Sequence, residues 1–139
     1  MTVPTSSASA SSLAELQSLL GDRFSTDPAV LAEFRSDFGR MVERTPAGIA
    51  RCSSAAEVAQ VVRFCRERKI PIAPRGQGHT QTGQSTTDGG IVIDTAGLQK
   101  IHEISAEGLY AVCDGGVVWR DLVRAATEQG LVPPTLTNN

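Results

Sequence analysis

Apolar residues recur at helical spacing in four stretches and in short strand-like runs in five, and the two kinds alternate along the chain. Ser12 and Glu15 stand at capping-box spacing ahead of Leu13, Leu16 and Leu20, with Gly21 as the stop. Asp27 and Pro28 read as the N-cap and first residue of a short helix that carries Val30, Leu31 and Phe34. Ser54 and Glu57 repeat the capping spacing, and Val58, Val61, Val62 and Cys65 then share one face. Arg66, Arg68 and Lys69 suit the C-terminal end of that helix, where positive charge complements its dipole, and read as a solvated end rather than a binding patch. The last helix, over residues 118–129, puts Val118, Leu122 and Ala125 on one side and ends at Gly130. Strands are predicted at residues 48–52, 70–75, 91–94, 101–104 and 110–114. Residues 48–75 therefore form a β-α-β unit, which suggests parallel pairing with any ligand at the carboxyl ends of the strands.

Composition narrows the class. At 139 residues the chain is one domain or part of one. Its 40% hydrophobic and 20% charged residues are those of an ordinary globular protein with enough apolar surface for a core. A net charge of −2, with scattered Lys and Arg and few aromatics, gives no nucleic-acid surface. No apolar run reaches the length of a membrane span. The first twelve residues lack a basic and an apolar segment, so they read as a disordered tail rather than a secretory signal. Cys52, Cys65 and Cys113 are odd in number and include no Cys-x-x-Cys pair. That argues against a disulfide framework or a zinc site and for buried thiols in a reducing cytoplasm.

The candidate chemistry lies just past the strand at 70–75, in the segment Pro74-Arg75-Gly76-Gln77-Gly78-His79-Thr80-Gln81-Thr82-Gly83-Gln84-Ser85. Two glycines flank Gln77, a histidine follows, and small hydroxyl residues fill much of the rest. Such a loop lets its backbone approach a ligand, and successive N–H groups can form an anion-binding nest. A cofactor bearing a pyrophosphate is the natural candidate. The spacing is not that of a Rossmann turn, because after Gly76 and Gly78 the next glycine is Gly83 and no helical pattern follows. Nor is there the Gly-Lys-Ser/Thr ending of a Walker loop. On composition alone, a glycine-rich connection is equally a plain turn.

The segment Arg75-Gly76-Gln77-Gly78-His79-Thr80, followed by Gly83-Gln84, resembles the R-G-x-G-H-S-x-x-G-Q loop of FAD-linked oxidases of the vanillyl-alcohol oxidase type. Within that family it is most similar to the cytokinin dehydrogenases. Ser36-Asp37-Phe38-Gly39, Gly89-Gly90-Ile91-Val92-Ile93-Asp94, Gly115-Gly116-Val117-Val118-Trp119-Arg120-Asp121-Leu122 and Gly130-Leu131-Val132-Pro133-Pro134 extend the likeness from about Asp37 onward. The resemblance implies an α+β fold: a small parallel β-α-β sheet with helices, packed on a larger mixed sheet, with FAD between the two. Residues 13–139 would then be the N-terminal portion of an FAD-binding domain of the PCMH type, short of its second half and of a substrate domain.

The same resemblance assigns site residues. His79 matches the histidine that bonds the flavin C8α methyl in covalent members and contacts the ring in the others. Gly76, Gln77, Gly78 and Thr80 would offer backbone N–H groups to the pyrophosphate, with the Thr80 hydroxyl as a further donor. Arg75 would offset phosphate charge or pair with a carboxylate elsewhere. Gln84 matches a glutamine that touches the cofactor, and Pro74 a backbone contact. No catalytic or metal-binding residue is expected, and His102, Trp119 and Asp121 read as an ordinary histidine, a packing residue and a helix cap. One departure concerns the substrate. Asn138 stands where a catalytic Asp follows in cytokinin dehydrogenases, and a neutral amide cannot take up the substrate proton. The implied function is the FAD-binding part of an oxidoreductase acting on a small molecule. The competing expectation is a non-catalytic fragment that needs a partner chain.

Overall fold

The computed structural model describes residues 7–135. The first helix, α1 (Ala10–Leu20), starts earlier than the capping pattern predicts. Ser9 is its N-cap, its hydroxyl accepting from the Ser12 backbone N–H at 3.2 Å, and Ser12 lies buried inside the helix. The cause is tertiary: Ala8 donates its N–H to the Gly89 carbonyl at 2.9 Å, which ties this segment to the body. Residues 10–12, expected as tail, are thus the first turn of a helix, and the start of the expected tail lies outside the described residues. Gly21 ends α1 at a φ of 58° that a side chain would oppose.

A 3-10 turn leads into a two-residue strand, β1 (Phe24–Ser25), and then α2 (Pro28–Glu33) opens with Asp27 as N-cap, as its Asp-Pro pair predicts. The remaining elements are β2 (Gly48–Arg51), α3 (Ala55–Glu67), β3 (Ile72–Arg75), β4 (Ile91–Asp94), β5 (Ile101–Ser105), β6 (Tyr110–Cys113) and α4 (Trp119–Thr127). At the start of α3 the Ser54 hydroxyl accepts from the Glu57 N–H. The Glu57 carboxylate reaches one residue further back than a capping box requires, to the N–H of Ser53 at 2.8 Å, and also meets the Arg23 guanidinium. The Ser53 N–H foremost, and Arg23 after it, hold the Glu57 carboxyl below its ordinary value.

Strand order corrects one sequence expectation. The four-stranded sheet runs β1-β2-β4-β3, with β1 antiparallel to β2 and the other pairs parallel. The strands of the β-α-β unit are therefore parallel but not neighbours, because β4 lies between them. Ile91-Val92-Ile93 is apolar on both faces and fully buried, the pattern of a central strand. Pro74 cannot donate to a ladder, which suits β3 to the edge. On one face, Ala50, Ile91 and Ile93 pack with Leu16 and Leu20 of α1 and with Val61 and Cys65 of α3. On the other, Ile49 and Val92 meet Phe34 at the end of α2.

The second unit is smaller. β5 and β6 form an antiparallel pair in which neither strand contains a buried residue, and Ala126 is the buried residue of α4. The structure is α+β, with mainly parallel and antiparallel parts in sequence along the chain.

Candidate functional site

The glycine loop leaves β3 at its carboxyl end and returns as β4, so residues 76–90 bridge two adjacent parallel strands without a crossover helix. Both sides of the loop are held by backbone. On one side, Gly76 approaches the 115–116 turn so closely that a Cβ on it would sit 2.8 Å from the Gly115 carbonyl oxygen. Gln77 secures this contact, its Nε2 donating to the Gly116 carbonyl at 3.1 Å. The Gln77 side chain therefore has a defined task that its sequence context does not reveal.

On the other side lies the segment 37–39. Phe38 donates its N–H to the Gly78 carbonyl at 2.9 Å and Gly39 to that of Thr80 at 3.2 Å. Gly39 faces the backbone of Gln81 with no room for a Cβ. Asp37, only 4% exposed, accepts at Oδ2 from the Thr80 hydroxyl and from the Gly83 N–H, both at 2.7 Å. An ionised carboxylate cannot donate, so the Thr80 proton points to Asp37 and the Ser85 hydroxyl, 2.8 Å away, donates to Thr80. The Thr80 hydrogen bond is the main force holding the Asp37 carboxyl below its ordinary value, against burial, and the Gly83 N–H adds to it. The Thr80 hydroxyl, expected as a donor to a cofactor, is thus committed within the protein. Asp37 is the residue whose part the sequence reading missed, because it lies about forty residues before the loop and no local signal joins the two.

The other expected residues separate into those that face a ligand and those turned inward. Arg75 donates to the Ser36 carbonyl at 2.7 Å and lies over the Phe34 ring at 5.0 Å, so its partners are a carbonyl and a ring rather than a carboxylate. Gln84 is exposed, its Oε1 accepting from the Thr82 N–H at 3.0 Å, a local turn contact. Pro74 is exposed in β3 opposite Ile93. His79 is exposed beside Phe38, ring centroids 5.7 Å apart and tilted by 57°. Trp119 and Asp121 correct another expectation: the N-cap of α4 is Val118, Asp121 pairs instead with Arg124 at 3.0 Å, and the buried indole Nε1 of Trp119 has no hydrogen-bond partner among the described residues. His102 is exposed and bonds Asp114 at 2.8 Å. Cys52 and Cys65 are buried as expected, whereas Cys113 is exposed on β6. Asn138 lies outside the described residues.

His79 stands between two clefts. The smaller, about 360 Å³, is lined by the loop from Pro74 to Thr80, by Ser85 and by residues 117–119 at the start of α4. The larger, about 720 Å³, is bordered by Asp37, Phe38, Arg40, Arg75 and His79, with Glu33 and Glu43 at its margin. Along the loop, the backbone N–H groups of Gly76 through Gln81 donate to no acceptor among the described residues. Gly78, with φ at 75°, turns the chain inside this run and has the Arg75 guanidinium against it. A run of free donors, glycine backbone without side-chain bulk and an adjacent cation together suit an anionic group such as the pyrophosphate of FAD.

Residues 46–138 match the family described as FAD binding domain. Among curated relatives, the chain is 36% identical over 113 residues to cytokinin dehydrogenase 7 of Oryza sativa subsp. japonica, covering 77% of this chain and 22% of that one. To (R)-6-hydroxynicotine oxidase of Paenarthrobacter nicotinovorans it is 42% identical over 97 residues, covering 70% of this chain and 21% of that one. Among solved structures, 6-hydroxy-D-nicotine oxidase from Arthrobacter nicotinovorans matches with a TM-score of 0.67 at 36% identity, over 81% of this chain and 25% of the other. A substrate-bound p-cresol methylhydroxylase matches with a TM-score of 0.72 at 24% identity, over 87% and 25% respectively, and supports the fold alone. The chain spans about a quarter of the length of the relatives it matches.

Proposed function

The chain belongs to the FAD binding domain family of FAD-linked oxidases, with the PCMH-type fold, and from that premise we propose that it is the FAD-holding part of a flavin-dependent oxidoreductase. The observation that carries the reading is the run of unpartnered N–H groups from Gly76 to Gln81, at the carboxyl end of β3 and beside His79. Charge chooses between the clefts. Three carboxylates, Glu33, Asp37 and Glu43, border the larger one and offset its Arg40 and Arg75, whereas the smaller is lined by Arg75 and no carboxylate. The pyrophosphate belongs in the smaller cleft. Pro74, Gly76, Gln77, Gly78 and Thr80 would line it through their backbone, and Gln84, outside its lining, would reach the cofactor only by leaving its contact with Thr82.

His79 is the residue we assign to the flavin ring, with a covalent bond to the C8α carbon as the finer form of the contact. When bound, FAD supplies hydride acceptance at N5, with reoxidation by O₂ or another acceptor. This chain's share is to bind, orient and shield it. The small-molecule substrate belongs to the intact enzyme. Buried Cys52 and Cys65 suit a reducing compartment such as the cytoplasm; no helix among the described residues is long and apolar enough to cross a membrane. A second reading, in which further polypeptide or a partner chain must complete the flavin site, is favoured by one observation. Leu109, Tyr110, Val112 and Val132 leave apolar surface exposed around the β5–β6 hairpin and α4.

The visible spectrum of the purified protein, repeated on the acid-precipitated pellet, tests both. Yellow that stays in the pellet and disappears in His79→Ala supports covalent FAD on a self-sufficient module. Yellow released to the supernatant keeps FAD and removes the covalent bond. A protein that remains colourless with added FAD rejects the self-sufficient reading in favour of a completed site.

A further inference from the structure

Asp37 presents an unusual combination. It is 4% exposed and engages Thr80 and Gly83 through one oxygen, while its other oxygen, Oδ1, is buried without a hydrogen-bond partner among the described residues. A buried carboxylate with an unsatisfied oxygen is costly, and its retention calls for a role beyond packing. Its neighbours point to that role. Thr80 directly follows His79, and Gly83 stands two residues past the run of free N–H groups, at a φ of 80° that a side chain would oppose. The two backbone bonds from Phe38 and Gly39 grip the loop at Gly78 and Thr80, on either side of His79. The same segment lays the Phe38 ring against the imidazole. None of these contacts belongs to the hydrophobic clusters of the sheet.

We propose that Asp37 is a positioning residue for the cofactor loop: through Thr80 and Gly83 it fixes the loop so that the imidazole of His79 and the free N–H groups keep one arrangement before FAD arrives. The proposal rests on the FAD reading for its ligand but not for its geometry. Thr80 and Ser85 are the links through which Asp37 acts, and Phe38 is the wall that the same segment brings to His79. An ordered loop spares the ordering cost that a flexible one incurs on binding.

The test combines Asp37→Asn, which keeps the shape and removes the charge, with Thr80→Val and Thr80→Ser in the full chain. FAD affinity is read by quenching of flavin fluorescence, and amide hydrogen exchange is followed at Gly83 and at Ile91–Ile93. Positioning requires Asp37→Asn and Thr80→Val each to weaken FAD binding at least tenfold and speed Gly83 exchange at least tenfold, with exchange in β4 unchanged. Thr80→Ser should restore both. Equal loss of protection at Gly83 and in β4 overturns the proposal in favour of a purely structural role; so does wild-type exchange and affinity in both variants. If the unaltered chain takes up no FAD, the self-sufficient reading is what fails, and the contrast between Gly83 and β4 still decides the role of Asp37.

Discussion

The two halves of this chain are built to different standards. The first surrounds a central strand with helices on both faces, and Leu16, Ile49, Val61, Cys65, Ile91 and Val92 are fully buried. The second pairs two strands with no buried residue and adds α4, which contributes only Ala126 to the interior. An isolated two-stranded sheet is marginal in water and gains stability from what packs against it. The first half therefore provides a rigid edge from which the glycine loop projects. The second provides one wall of the proposed flavin cleft and a surface awaiting cover. A site suspended between a firm support and a soft one takes its precision from the firm side.

The contrast is broken most strongly in the core. Ile91→Ala removes a fully buried side chain from the central strand and should cost about 2–5 kcal/mol. Val112→Ala, on a strand with no buried residue, should stay within about 0.5 kcal/mol; urea unfolding midpoints measure both. Equal effects would mean that the hairpin is better packed than its exposure indicates.

Gly78→Ala probes the border between the halves. It places a side chain at a φ of 75°, against the Arg75 guanidinium, and should cost about 1–2 kcal/mol of stability. Its FAD affinity should fall by more than its stability explains. Calorimetry and a flavin titration on the same preparation separate the two.

Acid should sharpen the comparison. Asp37 and Glu57, both in the first half, have folded-state values below the ordinary carboxylate value of about 4. Their stabilisation is present above that value and is lost as pH falls through the lower folded one. Protection of β4 and Gly83 amides should therefore hold at pH 5 and decline below about pH 4. Asp114, held low by its hydrogen bond from His102 and then by the Lys100 N–H, gives the second half the same sign of response.

Thiol reactivity should show the smallest perturbation. Burial pushes the Cys52 and Cys65 thiols up to about 11, whereas Cys113 is exposed on β6. A disulfide reagent at pH 8 should modify one thiol at once and the other two only on unfolding. Fast modification of two would place the weak point inside the sheet core.

Much of this architecture is legible in the sequence, because capping residues and apolar spacing are local signals. Asp27-Pro28, Ser54 and Gly130 mark helix boundaries where the structure has them. The glycine pair and His79 reveal the loop for the same reason. What escapes is long-range. Ser9 replaces Ser12 as a cap because residue 8 is tied to residue 89. The place of β4 between β2 and β3 depends on which strand is apolar on both faces, not on chain order. The partners of Thr80 and the task of Asp37 lie more than forty residues apart in sequence, and no spacing rule joins them.

The position of β4 has a further consequence, in the order of synthesis. Residues 48–75 supply two strands that in the finished sheet bond to β4 and not to each other, so before β4 arrives each has an edge without its partner. Only when Ile91–Asp94 emerges can the gap between them close, so the strand that completes the sheet also anchors the far end of the glycine loop. A nascent chain stalled before Ile91 would present two templates for foreign strands and a loose glycine loop. The sheet is therefore closed first, and the glycine loop is finished later, when Gly116 emerges to accept the Gln77 hydrogen bond.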